Sequence, residues 1–198
     1  MSYISAKELA QAMERAEKEM GGNPVRETCE KIYAGVLKDS GERRQFESGA
    51  VRDIQRGKGR CDLLPLDVVS MIFMSRGERQ AYEILEFIDK FINSGDVINL
   101  RDALHIFANN GQYQGCYPHL FLELAIHFED GAVKYGENNW QKGIPVNCYI
   151  DSAVRHYLKY LRGDTDERHD RAFVWNIVCA IWTCIHMPEL NPYGESAN

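Results

Sequence analysis

Ala172-Phe173-Val174-Trp175-Asn176-Ile177-Val178-Cys179-Ala180-Ile181-Trp182 is apolar on every side except for one amide. A helix without a polar face belongs at the centre of a bundle, and an amide carried there must find hydrogen-bond partners. Outward from it, helical spacing covers 166–187, 147–162 and 118–135, with a shorter pattern at 99–108. Between Pro65 and Asn93 run two further stripes, Leu66, Val69, Ile72 and Phe73, then Ile84, Leu85, Ile88, Phe91 and Ile92. Ser5 and Glu8 form a capping box for a helix to Met20, and Gly21-Gly22-Asn23-Pro24 separates it from another at 25–38. Nothing reads as a strand. The expected class is all-α, with a helix-bundle core and a loosely ordered tail from Pro188 to Asn198.

A chain of 198 residues can bury a sizeable core as one domain. A formal net charge of −6 argues against a nucleic-acid polymer as partner, while leaving room for a locally basic nucleotide pocket. The six cysteines form no Cys-x-x-Cys pair, so a structural zinc of the usual spacing is not expected. Cys148, Cys179 and Cys184 sit in apolar helical patterns, where a reduced thiol acts as a small hydrophobe. No apolar run is long enough to span a bilayer. A soluble cytoplasmic protein without a membrane partner is expected.

Two acidic residues stand where helical periodicity asks for apolar ones. Glu129 continues the stripe Leu122, Ala125, Ile126, Ala132, Val133, and Asp151 starts the stripe Val154, Leu158, Leu161. A buried carboxylate needs a cation, a metal or hydrogen bonds. Glu123, His127, Asp130 and Lys134 fall on the other face and read as a solvated set of i,i+4 partners. For Asp151 the plain explanation is an N-terminal charge on the helix dipole, salt-bridged to Arg155. In the last helix Asp166, His169, Phe173 and Asn176 share a face, and Glu167 and Asp170 stand at i,i+3, where two carboxylates can approach one ion. Carboxylates from facing bundle helices hold Mg²⁺ or Mn²⁺, which points to phosphate chemistry. Lys134, Lys142, Arg155, Arg52, Lys58 and Arg60 are candidates to neutralise a triphosphate, and Trp140 and Tyr135 to stack on a base. Gly57-Lys58 is not a P-loop, because Gly59 follows the lysine and Arg occupies position 52.

Ser48-Gly49-Ala50-Val51-Arg52-Asp53, Gly57-Lys58-Gly59-Arg60-Cys61-Asp62-Leu63-Leu64-Pro65, Gly131-Ala132-Val133-Lys134-Tyr135-Gly136 and Asn139-Trp140-Gln141-Lys142-Gly143-Ile144-Pro145 follow in order. Asp151-Ser152-Ala153-Val154-Arg155-His156, Asp166-Glu167-Arg168-His169 and Trp175-Asn176 complete the set. With these motifs the chain resembles the phage and bacterial dATP/dGTP diphosphohydrolase domain, related to MazG-like nucleotide pyrophosphohydrolases. The resemblance runs over residues 46 to 187, with 1–45 as an N-terminal helical extension and about 68–118 as a helical insertion. It implies hydrolysis of a purine deoxynucleoside triphosphate to monophosphate and pyrophosphate, with Mg²⁺ or Mn²⁺ as cofactor and a homo-oligomer, dimer or tetramer, as the working form. On this reading Glu129, Asp151, His156 and His169 are catalytic, and Glu129, Asp151, Asp166, Glu167 and Asp170 hold metal. Arg52, Lys58, Arg60, Lys134, Tyr135, Asn139, Trp140, Lys142, Arg155 and Asn176 bind substrate. MazG relatives carry Glu-x-x-Glu and Glu-x-x-Asp on successive helices; here Ala132 follows Glu129 and Val154 follows Asp151, and Glu167–Asp170 alone spells Glu-x-x-Asp. A non-catalytic nucleotide sponge on the same scaffold and a helical interaction protein are the alternatives. An HD-type phosphohydrolase, raised by His169-Asp170 after His127 and His156, lacks the later Asp ligand, since no Asp follows position 170.

Overall fold

The computed structural model describes residues 41–54, 58–109 and 113–194. The chain divides into units Met1–Val36 and Leu37–Asn198, and the described residues belong to the second. The helices expected at 5–20 and 25–38 lie outside the described residues.

The architecture is all-α, with six α-helices among the described residues: α1 Leu66–Ser75, α2 Arg79–Ser94, α3 Val97–Asn109, α4 Tyr117–Tyr135, α5 Val146–Arg162 and α6 His169–His186. Short 3₁₀ turns cover Cys61–Leu63, Asn139–Lys142 and Pro188–Leu190. As its sequence requires, α6 is the central helix, packed against α3, α4 and α5. Phe107 of α3 meets Phe173 of α6 at 4.7 Å and Tyr160 of α5 at 5.4 Å between ring centres. The segment read as an insertion therefore shares the core through α3.

Three expectations change. A hairpin precedes the helices: β1 Arg43–Gln45 pairs antiparallel with β2 Val51–Asp53, in the register Arg43 to Asp53 and Gln45 to Val51. Three-residue strands are too short for a period-2 pattern to show. Second, α4 is rotated from the face its apolar residues suggest. Leu122 is 68% and Val133 87% exposed, while Glu123 and His127 are buried. The cause lies on α6, where buried Arg171 donates from Nε to Glu123 at 2.6 Å; an arginine inside the bundle needs a carboxylate and turns the polar face of α4 inward. Third, the tail packs as far as Gly194. Tyr193 meets Phe91 edge-on at 5.5 Å, over Gly95, whose backbone is left-handed (φ 68°) and where a Cβ would collide with the Tyr193 backbone.

A basic and acidic cavity between the hairpin, α4, α5 and α6

A cavity of about 780 Å³ opens between the hairpin, the end of α4, the 3₁₀ turn at 139–142 and the facing sides of α5 and α6. The hairpin is held there by side chains of the loop and helices it covers. Asn139 grips β2 with both ends of its amide, accepting from Val51 N at 2.9 Å and donating to Val51 O at 2.8 Å. Ser48 donates to the Gly143 carbonyl at 2.6 Å. Arg52 reaches inward to donate to Ser152 Oγ at 3.1 Å and Asn176 Oδ1 at 3.0 Å, lying over the Tyr149 ring. Asn176 donates in turn to the Ala172 carbonyl at 2.7 Å, so this central amide is satisfied. Asn139 and Asn176 line the cavity, and their amides serve to position Val51 and Arg52.

Asp53 is the centre of the basic wall. Lys134 donates to it at 3.0 Å and Tyr135 at 2.9 Å, and Arg43 and Lys58 stand at 3.2 and 3.7 Å. Burial, with the Asp53 carboxylate behind it, drives the Tyr135 phenol well above its usual range. Burial also lowers the Lys58 ammonium, despite Asp53. Three cations thus gather on one carboxylate at this wall. Three buried donors on the lining residues Arg44, Arg52 and Trp175 (Nε, Nη1 and Nε1 in turn) meet no acceptor among the described residues. A buried N–H left unpaired is costly, and an acceptor-rich ligand would satisfy it. Phe128, Trp140 and Trp175 make an aromatic back wall, Phe128 lying 5.3 Å from Trp140 and 6.0 Å from Trp175.

The carboxylates expected to share a metal are held apart. Asp151 is buried, ion-paired to Arg155, and accepts from Cys61 N at 2.6 Å, so it caps the 61–63 turn. Arg155 donates onward to the Lys58 carbonyl at 3.2 Å. Asp170 faces away from the cavity, bound by Arg168 at 2.7 and 2.9 Å and by Tyr113 at 2.6 Å. Burial opposes its charge, yet the Arg168 bonds win and its pKa is lowered. Helix α6 starts at His169, later than expected, so Glu167 and Asp170 lack the helical spacing that would bring them together. Glu129 is exposed, at the cavity wall, as a consequence of the rotation of α4. Arg60 is spent on exposed contacts with Asp62, and Lys142 is exposed; neither lines the cavity.

At the remaining corner His156, Asp166 and Glu167 line the cavity, with His169 behind them. His169 Nε2 bonds Asp166 Oδ1 at 2.8 Å, and Lys159 donates to Asp166 Oδ2 at 3.2 Å. Burial opposes the Asp166 charge, but these two bonds prevail and hold its pKa at about 2. His156 is pressed well below its ordinary pKa, by burial first and then by His169 and Arg155.

Sequence reasoning placed Arg52, Lys58, Glu129, Lys134, Tyr135, Trp140, Asp151, Arg155, His156, Asp166, Glu167, Asn139 and Asn176 around this cavity, and it missed Asp53, Ser152 and Arg44. Asp53 and Ser152 sit inside the quoted motifs, which was the available signal; Arg44 had none. Set beside known proteins, one family model matches, dATP/dGTP diphosphohydrolase, N-terminal, over residues 107–192. Over that stretch the chain is similar to the family. It spans the end of α3 through the 3₁₀ turn after α6, and therefore carries the aromatic wall, Glu129, Lys134, α5 and the His corner. The hairpin and the 58–63 segment lie outside it. No curated protein and no solved structure matches the chain.

Proposed function

We propose that this protein is a metal-dependent nucleoside triphosphate pyrophosphohydrolase that cleaves a purine deoxynucleotide, dATP or dGTP, to the monophosphate and pyrophosphate. One observation carries the reading: the cavity, lined partly by the family-matched region and partly by the hairpin, sets unpaired buried donors and a cation-rich wall opposite an acidic and imidazole corner. Its volume is that of a small-molecule site. Arg52, Lys58, Lys134 and Arg155 would bind the phosphates, and Trp140 and Tyr135 the base, which stacks on aromatic faces.

Hydrolysis forms a bond from water oxygen to the α-phosphorus and breaks the bond to the bridging oxygen, so that pyrophosphate leaves with the electron pair. Glu129 would take the proton of the attacking water, since its exposed carboxylate at the cavity wall has no ion pair among the described residues. The cations of the basic wall would stabilise the leaving pyrophosphate. A bound divalent cation, Mg²⁺ or Mn²⁺, would supply charge neutralisation and water activation, and the donors of the His corner fit Mn²⁺ the better of the two. Exposed apolar residues on α4, Phe121, Leu122, Ile126 and Val133, support a homo-oligomer, which sedimentation of the pure protein would measure. The unpaired cysteines among the described residues support a reducing, cytoplasmic setting. No helix among the described residues is long and apolar enough to cross a membrane.

The test is incubation with each dNTP and NTP, with and without Mn²⁺, and separation of the products. dAMP or dGMP with pyrophosphate is the expected result. Glu129→Gln should lower turnover by roughly 10²-fold or more with an unchanged melting temperature, because the side chain is exposed. Wild-type turnover in that variant removes Glu129 from the chemistry. Nucleotide retained but intact would favour the sponge, a reading supported by the commitment of Asp151 and Asp170 to arginines.

A further inference from the structure

We infer that His156, His169 and Glu167 form a transition-metal site, with Asp166 orienting His169, and that this site prefers Mn²⁺, Co²⁺ or Zn²⁺ to Mg²⁺. The inference deepens the proposed function by assigning its cation to these residues. The Nδ1 atoms of the two histidines are 3.0 Å apart, and Glu167 Oε1 lies 3.4 Å from that of His156 and 3.5 Å from that of His169. Three donors bonded to one ion at about 2.1 Å stand about 3.0 Å apart at octahedral angles and about 3.4 Å at tetrahedral ones. The triangle therefore already has the dimensions of a coordination face.

The two imidazoles can share a hydrogen bond, but as a purely structural contact the Glu167 side is poor. Both distances to the Glu167 carboxylate are at or beyond the limit of a good N–H···O bond. Among the described residues no lysine or arginine pairs with Glu167, and its side chain is only 14% exposed. A shielded carboxylate next to two imidazoles and no cation is an electrostatic deficit, which a divalent ion between the three would cancel. The second group of acids nearby lacks this deficit: Arg162 holds Asp164 at 2.7 Å and Lys159 holds Asp166.

The contact between His169 Nε2 and Asp166 Oδ1 supplies the other half of the case. When Nε2–H donates to this carboxylate, the Nδ1 lone pair points at the triangle. A carboxylate behind a histidine ligand fixes tautomer and ring orientation in the same way at known metal sites. Imidazole nitrogens suit first-row transition metals, whereas Mg²⁺ favours oxygen and retains its water. Asp166 is accordingly a positioning residue.

The experiment uses the full chain, stripped of metal, titrated with Co²⁺ and followed by visible absorption and calorimetry. One Co²⁺ per chain with ligand-field bands is expected, undisturbed by a hundredfold excess of Mg²⁺ and displaced by Zn²⁺. His156→Ala, His169→Ala and Glu167→Gln should each weaken binding by roughly 100-fold, and Asp166→Asn by roughly 10–100-fold while retaining the bands. Glu167→Gln, at the cavity wall, keeps the test decisive should a histidine variant fail to fold. Unchanged Co²⁺ affinity in folded Glu167→Gln, or displacement of Co²⁺ by equimolar Mg²⁺, would overturn the inference. The two readings fail separately. Specific Co²⁺ binding without cleavage of any nucleotide would refute the hydrolase alone, and Mg²⁺-supported cleavage at the wild-type rate in Glu167→Gln would refute the metal site alone.

Discussion

Two clusters of charge flank the start of α6, drawn from interleaved residues of one short segment, and they are built in opposite ways. In the first, Arg168 and Arg171 meet Glu123 and Asp170, with Tyr113 donating to Asp170. Each charge there has its opposite. In the second, Asp166 is answered by Lys159 and His169, while among the described residues Glu167 faces only two imidazoles. A balanced cluster holds helices together; an unbalanced one is organised for a ligand. Residues 166–171 thus serve both purposes because the chain turns into its helix at His169, sending Glu167 and Asp170 to different sides.

The contrast breaks most visibly at Arg171. Removing it by Arg171→Ala leaves Glu123 buried with, among the described residues, Arg168 alone nearby at 3.3 Å. Uncovering one partner of a buried pair costs about 3–5 kcal/mol, which chemical denaturation would measure. Replacing both partners, as in Glu123→Met with Arg171→Met, should recover most of that loss. If the double variant is no better than the single, the cluster is not the balanced structural unit described here.

Acid tests the same cluster through its neighbour His127. Burial first, and then the Arg171 charge, lower the His127 pKa from 6.5 to about 4 against the opposing pull of Asp170. The unfolded chain takes up a proton below pH 6.5 that the folded chain refuses, so stability falls as pH drops from 6.5 towards about 4 and levels off below. A tenfold change in proton affinity is worth about 1.4 kcal/mol, which puts the total at roughly 3 kcal/mol. His127→Phe should flatten that part of the stability profile; an unaltered slope would show that other groups cause it.

The sequence made the bundle legible and the rotation of α4 illegible, for one reason. An all-apolar helix such as α6 has a single reasonable place, whereas α4 carries both an apolar stripe and a Glu123–His127 stripe. Which one turns inward depends on Arg171, some fifty residues later in the chain. Part of the cavity lining was legible from Asp151 and Asn176, because polar groups on apolar faces need partners, and part, with Lys134, Trp140 and His156, from the family resemblance. The identity of those partners was not. Asp151 took Arg155 and a backbone N–H, Asp170 took Arg168, and the hairpin that supplies Asp53 and Arg44 is too short to show a periodicity.

Asn139 sharpens the contrast with a third kind of residue, one that neither balances charge nor awaits a ligand. Its two bonds to Val51 fix the hairpin over the cavity. At about 1 kcal/mol per net hydrogen bond, Asn139→Ala should cost roughly 2 kcal/mol in thermal unfolding and raise hydrogen exchange in β1 and β2 selectively. Loss of nucleotide binding with full hairpin protection would instead make the amide a direct ligand contact.

Lys134 provides the smallest and most discriminating effect. Its ammonium is shielded and bonded to Asp53 at 3.0 Å, as a structural ion pair would be, but Asp53 also has Arg43, Lys58 and Tyr135. Three cations and a phenol on one carboxylate make Lys134 dispensable to Asp53. Lys134→Met should therefore leave Asp53 well compensated and the melting temperature nearly unchanged. It should weaken nucleotide triphosphate binding about tenfold, equivalent to about 1.4 kcal/mol, and weaken monophosphate binding less, since a lost phosphate contact matters more for the more highly charged ligand. A melting temperature lowered as far as that of Arg171→Ala, with triphosphate affinity intact, would place Lys134 with the balanced cluster and leave Lys58 and Arg155 to carry the phosphates.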